Sequence, residues 1–218
     1  MHLNIMERKI TALKIQKRNH RRVNVYLDDE FAFGLSRITA AWLEIGQVLS
    51  DNKIQELLAA DEIEVATQKV LNFLSYRPRS ENEVREYLRK HDFSDEAIPE
   101  VIVRLRRNGL INDGDFARQW VENRSEFRPR GRRALRVELH RKGISTDIID
   151  QVLQDIDEDE LAYQAAVRQS RKYQKLDWEA YRVKMIAFLG RRGFNYGVSK
   201  PVVEKVWKEV NSSTNPEN

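Results

Sequence analysis

Cysteine is absent from the 218 residues. Disulfides and thiolate metal sites are thereby excluded, and a reducing cytoplasm is the compartment that suits such a chain. No apolar run approaches the roughly 18 residues of a membrane span, and residues 1–8 carry no signal-peptide stretch, so a soluble protein is expected. Glycine is scarce, nine in all, and none forms a phosphate-cradling loop of the P-loop or dinucleotide type; nucleotide hydrolysis therefore lacks its usual machinery. His2, His20, His91 and His140 fall singly, without metal-ligand spacing, and His91 and His140 lie where helix-end carbonyls would accommodate them. Asp113 and Asp115 are expected to cap a helix start. No catalytic residue, metal ligand or cofactor is nominated, and a non-enzymatic protein is expected.

What is present is repetition. Leu71-Asn72-Phe73-Leu74-Ser75-Tyr76-Arg77-Pro78-Arg79-Ser80 is answered 51 residues later by Glu122-Asn123-Arg124-Ser125-Glu126-Phe127-Arg128-Pro129-Arg130-Gly131. The register continues, with Val84 matching Leu135, Leu88 matching Leu139, Phe93 matching Ile144, Ile98 matching Ile149 and Ile102 matching Leu153. A looser third copy carries Met185, Leu189, Gly193, Phe194, Val202, Val203 and Val206. Tandem copies of this length bury their apolar faces partly against neighbours, which points to an elongated array and a binding surface.

Each copy reads as three helices. In the first, Pro78 stops the leading helix at Arg77. Ser80-Glu81-Asn82-Glu83 forms a capping box for the second helix, and Ser94 opens a third that ends at Gly109. The second copy starts near Asp113 or Asp115, breaks at Arg128-Pro129, resumes at Gly131, and uses Gly143 and Ser145 as its next stop and start. The third restarts near Asp177, and its last helix, 200–210, takes Pro201 in its first turn. Before the repeats, residues 9–17, 22–27 and 31–35 alternate apolar and polar, with Asp28-Asp29-Glu30 as a turn, so two or three antiparallel strands are expected. Asp51 is the expected cap of the helix that follows.

The fold class is therefore mainly α: three tandem three-helix repeats behind a small N-terminal antiparallel β segment. The expected domains are 1–60, the β-rich segment with leading helices; 61–112, 113–157 and 158–210, the repeats; and 211–218, a disordered tail. Trp42, Trp120, Trp178 and Trp207 are expected as packing residues, with Trp120 and Phe116 buried in the second repeat.

Charge is unevenly spread. The net is only +4, yet Arg124, Arg128, Arg130, Arg132, Arg133, Arg136, Arg141 and Lys142 lie within 19 residues, against Glu126 and Glu138 alone. Arginine forks favour bidentate pairing with carboxylates or phosphates, so the cluster reads as a contact face. Gly131, standing where the first copy has Ser80, would let a partner backbone approach closely. Arg77 and Arg79 occupy the matching place in the first copy, and Arg191 and Arg192 stand on the third.

Arg77-Pro78-Arg79-Ser80 with Glu83-Val84 and Leu88, Gly109-Leu110-Ile111-Asn112-Asp113 with Phe116-Ala117, Glu138-Leu139 with Lys142-Gly143-Ile144, and Phe188-Leu189 with Arg191-Arg192-Gly193-Phe194 together resemble the RecX family. The ordered set covers residues 63–210. The resemblance implies a cofactor-free, non-catalytic, cytoplasmic regulator of DNA repair, homologous recombination and the SOS response. It implies a monomer that lies in the helical groove of the RecA filament on single-stranded DNA and restrains ATP hydrolysis, strand exchange and co-protease activity. The alternative reading is a direct nucleic-acid binder, for single- or double-stranded DNA, using the same basic face. Under either, Arg77, Arg79, Arg124, Arg128, Arg130, Arg132, Arg133, Arg136, Arg191 and Arg192 are the candidate partner-binding residues.

Overall fold

A computed structural model describes residues 7–212. It divides into two compact bodies: one takes in the chain up to Arg79 together with Val84–Ile111, the other Ser80–Glu83 and the chain from Asn112 onward.

In the first body, β1 (Glu7–Ile15), β2 (Arg22–Leu27) and β3 (Glu30–Ser36) form an antiparallel meander, as the alternation predicts. The β2–β3 turn puts Asp28 and Asp29 at positive φ, a conformation short acidic side chains tolerate. The Asp28 carboxylate accepts from Lys9 N–H at 3.1 Å, and Thr11 Oγ1 accepts from Asp29 N–H at 2.9 Å. A short helix, α1 (Arg37–Ala40), then leads to β4 (Val48–Ser50), which pairs with the start of β1 and gives the order β3-β2-β1-β4. The sheet thus has four strands. β4 has too few residues to show an alternating pattern, and its partner lies some 40 positions away in the chain.

Helix α2 (Asp51–Leu74) begins one residue earlier than the sequence implies: Ser50 is the cap, accepting from Lys53 N–H, and Asp51 pairs with Arg8 instead. This long helix serves two cores. Ile54, Leu57 and Leu58 close over Ile10, Val25, Leu27 and Leu35 of the sheet. A few turns on, Ala66 and Val70 join Val84 and Leu88 of α3 (Glu81–Arg89) and Ile98, Val101, Ile102 and Leu105 of α4 (Ala97–Arg107). Between the two cores Asp61 is buried, accepting from the Arg22 guanidinium at 3.0 Å and from Ser36 N–H. α4 ends as expected at Gly109, φ +66, with Leu110 N–H returning to Leu105 O.

The second body holds two more helix triplets. α5 (Asp113–Phe127), α6 (Arg132–Arg141) and α7 (Thr146–Gln154) enclose Phe116, Ala117, Val121, Leu135, Leu139, Ile144, Ile149 and Leu153. α8 (Glu158–Ser170), α9 (Trp178–Arg191) and α10 (Tyr196–Ser212) enclose Leu161, Ala162, Ala166, Tyr181, Met185, Leu189, Phe194, Val203 and Val206. Val84, Leu135 and Met185 are all fully buried, as are Leu88, Leu139 and Leu189, so the repeated skeleton is one set of inward positions used three times.

Three expectations need correction. α10 starts at Tyr196 rather than Lys200, capped by Asn195 Oδ1 accepting from Val198 N–H, so Pro201 sits inside it. Its backbone runs to Ser212, two residues into the expected tail; residues 213–218 lie outside the described residues. Trp42 is not a packing residue, being 89% exposed, whereas Trp178 and Trp207 do pack around Tyr181.

Tyr181 is 1% exposed, and its hydroxyl finds no hydrogen-bond partner among the described residues. Burial pushes its pKa up from 10.0 to about 12, because the phenolate would be desolvated. The unfolded chain therefore releases this proton first, and stability falls as pH rises from about 10 toward 12. Tyr181→Phe is expected to raise stability at neutral pH by about 1 kcal/mol, by removing an unsatisfied hydroxyl. It should also flatten the alkaline decline in urea denaturation followed between pH 9 and 12.

Candidate functional site

The helix starts that the sequence marks as contact points turn out to be joints within the second body. Ser80 caps α3 through the expected box, its Oγ accepting from Glu83 N–H at 3.2 Å and the Glu83 carboxylate accepting from Ser80 N–H at 3.3 Å. The same hydroxyl donates to Lys142 O at 2.6 Å, just past α6, and the Lys142 ammonium pairs with Glu83 at 2.7 Å. Asp113, at the start of α5, accepts from Glu81 N–H at 2.8 Å. It caps another helix's first turn, while its own helix is capped by Asn112, accepting from Gly114 and Asp115 N–H.

The pattern recurs one repeat later. Gly131 N–H donates to Arg192 O at 2.9 Å, just past α9, and Glu158, at the start of α8, accepts from Arg132 N–H at 3.0 Å. Gly131 does admit a close backbone, but it is the chain's own: a Cβ there would overlap Gly193 O. A Cβ on Gly193, φ +89, would come within 2.5 Å of Ala134 Cβ.

These joints divide the arginine cluster in two. Arg124 donates to Glu138 at 2.8 Å and stacks over Trp120; Arg130 approaches Glu138 at 3.5 Å. Arg132 pairs with Glu158 and donates to Ile156 O at 2.7 Å, and Arg136 pairs with Asp150. Arg192 donates to Pro129 O and lies over Phe188. Its pKa is lowered by burial first, then by the neighbouring positive charges of Arg130, Arg128 and Arg168. In the first body, Arg79 lies 4.0 Å from the Phe73 ring centroid and Arg77 donates to Pro78 O. Trp120 is half-buried rather than enclosed: it stacks on Phe116, its indole N–H donates to Glu138 at 2.9 Å, and Lys142 covers its ring.

Arg128, Arg133, Arg141 and Arg191 are different. They are exposed and form no ion pair among the described residues. Arg133, Arg141 and Arg191 line an open groove of about 400 Å³, shared with Arg130, Glu138 and Val137. Arg133, Val137 and Arg141 recur every four residues, so they form one stripe of α6. On the opposite wall Gly190 leaves open space where a side chain would stand. Arg141 belongs to the basic run, outside the candidate partner-binding set; whether it is free depends on where acids of other helices fall, which no local sequence signal reports. Among the described residues no cluster of His, Cys, Asp or Glu is arranged to hold a metal, and no helix is long and apolar enough to cross a membrane.

Three-helix units used three times, a small antiparallel sheet and a groove lined by unpaired arginines define a protein of the helical-repeat class. Models of the regulatory protein RecX N-terminal domain and of the first, second and third three-helix domains of RecX match residues 8–50, 66–105, 112–153 and 157–203. The chain is 32% identical over 213 residues to the regulatory protein RecX of Bacillus subtilis, covering 95% of this chain and 81% of that one. To its counterpart in Listeria monocytogenes serotype 4b (strain CLIP80459) it is 30% identical over 207 residues, covering 93% and 77%. Among solved structures, one of regulatory protein RecX superposes with a TM-score of 0.74 at 27% identity, covering 90% and 99%. RecX from Lactobacillus salivarius gives 0.61 at 27% identity, covering 67% and 97%. The chain belongs to the RecX family of non-catalytic regulatory proteins.

Gly131 and Gly190 separate the joint from the groove. Gly131 has backbone angles any residue adopts, φ −72 and ψ 160, so Gly131→Ala acts through overlap alone and should destabilise the second body by roughly 1–3 kcal/mol. Gly190→Ala, on an open helical face, should stabilise by about 0.5–1 kcal/mol. Urea denaturation of the two variants is expected to show midpoints moving in opposite directions.

Proposed function

We propose that this chain acts in the cytoplasm, as a monomer, on the RecA filament assembled on single-stranded DNA. It lies in the filament's helical groove and restrains ATP hydrolysis, strand exchange and co-protease activity, and so tempers recombinational repair and the SOS response. Membership of a family of regulatory proteins supports the role, and the α6–α9 groove supports the place of contact. The observation that carries it is the convergence of Arg133, Arg141 and Arg191, unspent on internal carboxylates, around an exposed valine and an open glycine. Such a surface fits an acidic, partly apolar protein face. Arg124, Arg130, Arg132, Arg136 and Arg192 are engaged with internal partners instead.

The same guanidinium groups suit phosphates, which favours direct binding to DNA as the second reading. Salt separates the two: phosphate binding weakens steeply with ionic strength and needs no RecA.

The test is co-sedimentation with RecA filaments beside an ATPase assay. Charge-assisted contacts are each worth about 1.5–3 kcal/mol, so Arg133→Glu, Arg141→Glu and Arg191→Glu together should weaken filament binding by orders of magnitude with an unchanged helical spectrum. Arg132→Glu should instead lower stability, because it sets like charge against Glu158. A folded triple variant that inhibits normally would place the contact elsewhere.

A further inference from the structure

The α6–α9 groove contains its own competitor. Among the described residues that line it, Glu138 is the one acid, set among Arg130, Arg133, Arg141 and Arg191. Ala134, Glu138 and Arg141 lie within a turn of one another along α6, so the carboxylate belongs to the groove wall and not to the far side of the helix.

Its two oxygens are used unequally. Oε2 accepts from the Trp120 indole N–H at 2.9 Å and from Arg124 Nε at 2.8 Å, and so fastens α5 to α6. Oε1 lies 3.5 Å from Arg130 Nε, a contact too loose to be a hydrogen bond. Arg130 Nε is therefore a buried donor with no acceptor among the described residues. Burying a donor without an acceptor is costly, and folded chains seldom do it.

The other internally engaged arginines are better held. Arg124, Arg132 and Arg192 each donate a hydrogen bond to an acceptor of the same body. The Arg130 guanidinium has the long contact with Glu138 in place of one, while its side chain is 33% exposed and forms part of the groove wall. The charge of Arg192 bears on it as well, and like-charge crowding favours any outside acid that can reach it. A planar guanidinium whose Nε has no acceptor suits a carboxylate that takes Nε and a terminal N–H together.

We infer that Arg130 is a partner-contacting residue held in reserve by Glu138, and that docking exchanges this loose internal contact for a carboxylate on the partner protein. The inference rests on the α6–α9 groove being the contact face. Glu138 is then a positioning residue with two effects. It keeps Arg130 in the groove wall while the chain is free, and it lowers affinity, because the partner's acid must displace an acid already there. The groove binds less tightly than its cations alone would allow, which keeps the complex reversible.

The test is co-sedimentation with RecA filaments, titrated to an affinity, for the full chain and its variants. Glu138→Gln keeps an amide oxygen for Trp120 and Arg124 but removes the competing charge, and should bind about three- to tenfold more tightly, the scale of one partly exposed charge pair. Arg130→Gln should bind roughly tenfold more weakly, through loss of a charge-assisted contact. In the Arg130→Gln background the gain from Glu138→Gln should fall below about twofold, since no guanidinium is left to release. A merely structural role for Glu138 would give loss instead of gain. Tryptophan emission and urea midpoints show whether the fastening of α5 to α6 survives in each variant; if Glu138→Gln disturbs it, Arg130→Gln decides alone, and wild-type affinity there overturns the inference. Suppose Arg133→Glu, Arg141→Glu, Arg191→Glu abolishes binding, yet folded Glu138→Gln binds no more tightly than wild type, or keeps its full gain with Arg130→Gln. The inference is then overturned while the groove remains the contact face. If the wild-type chain does not sediment with filaments, or the triple variant binds normally, the groove reading falls and this inference falls with it.

Discussion

The second body depends on one close approach of backbone to backbone. A middle helix ends in a left-handed glycine, Gly143 or Gly193, and the turn so formed lies against the first residues of the preceding repeat's middle helix. Sterics fix the distance, and hydrogen bonds fix the register: Ser80 Oγ to Lys142 O in one joint, Gly131 N–H to Arg192 O in the next. Where the first joint reaches with a hydroxyl, the second brings the main chain itself into contact, which is why the side chain is dispensed with at position 131. A carboxylate from the following repeat, Asp113 or Glu158, then satisfies the amide left over at the helix start. Within this body the apolar clusters of the two triplets meet mainly through Ile156, so the polar joint, more than shared core, sets their relation.

That joint also decides what the arginines do. Glu138, Glu158, Asp150 and Glu83 each take up a cation, and the guanidinium groups so engaged are structural. The ones left over lie beyond ion-pair reach of any acid among the described residues. Charge density along the chain and charge available to a partner are therefore different quantities here. A run of eight cations in sequence contributes two residues, Arg133 and Arg141, to the mouth of the groove without an ion pair; Arg191 comes from 50 positions further on.

The repeated apolar skeleton was legible because burial imposes a helical period whatever the surroundings, and the same inward positions serve Val84, Leu135 and Met185. Local caps such as the Ser80–Glu83 box were legible for the same reason: donor and acceptor lie within one turn. Features set by distant partners were not. β4 is a strand only because β1 offers it an edge, and Asp113 caps a helix 32 residues upstream. Trp42 carries no local sign of its exposure, since an indole in a short turn has the same sequence signature whether or not something covers it. At the groove, arginine identity was readable, but the sorting into spent and unspent charge needed acids from α6, α7 and α8.

Helix α2 has a further consequence. It is unbroken for 24 residues, about 36 Å at 1.5 Å per residue, and its two ends belong to different cores. Fraying at the sheet end, where Ile54, Leu57 and Leu58 cover the strands, propagates along the helix toward Ala66 and Val70. The sheet and the first helical triplet therefore melt as one cooperative block, with Asp61 as the pin at its centre.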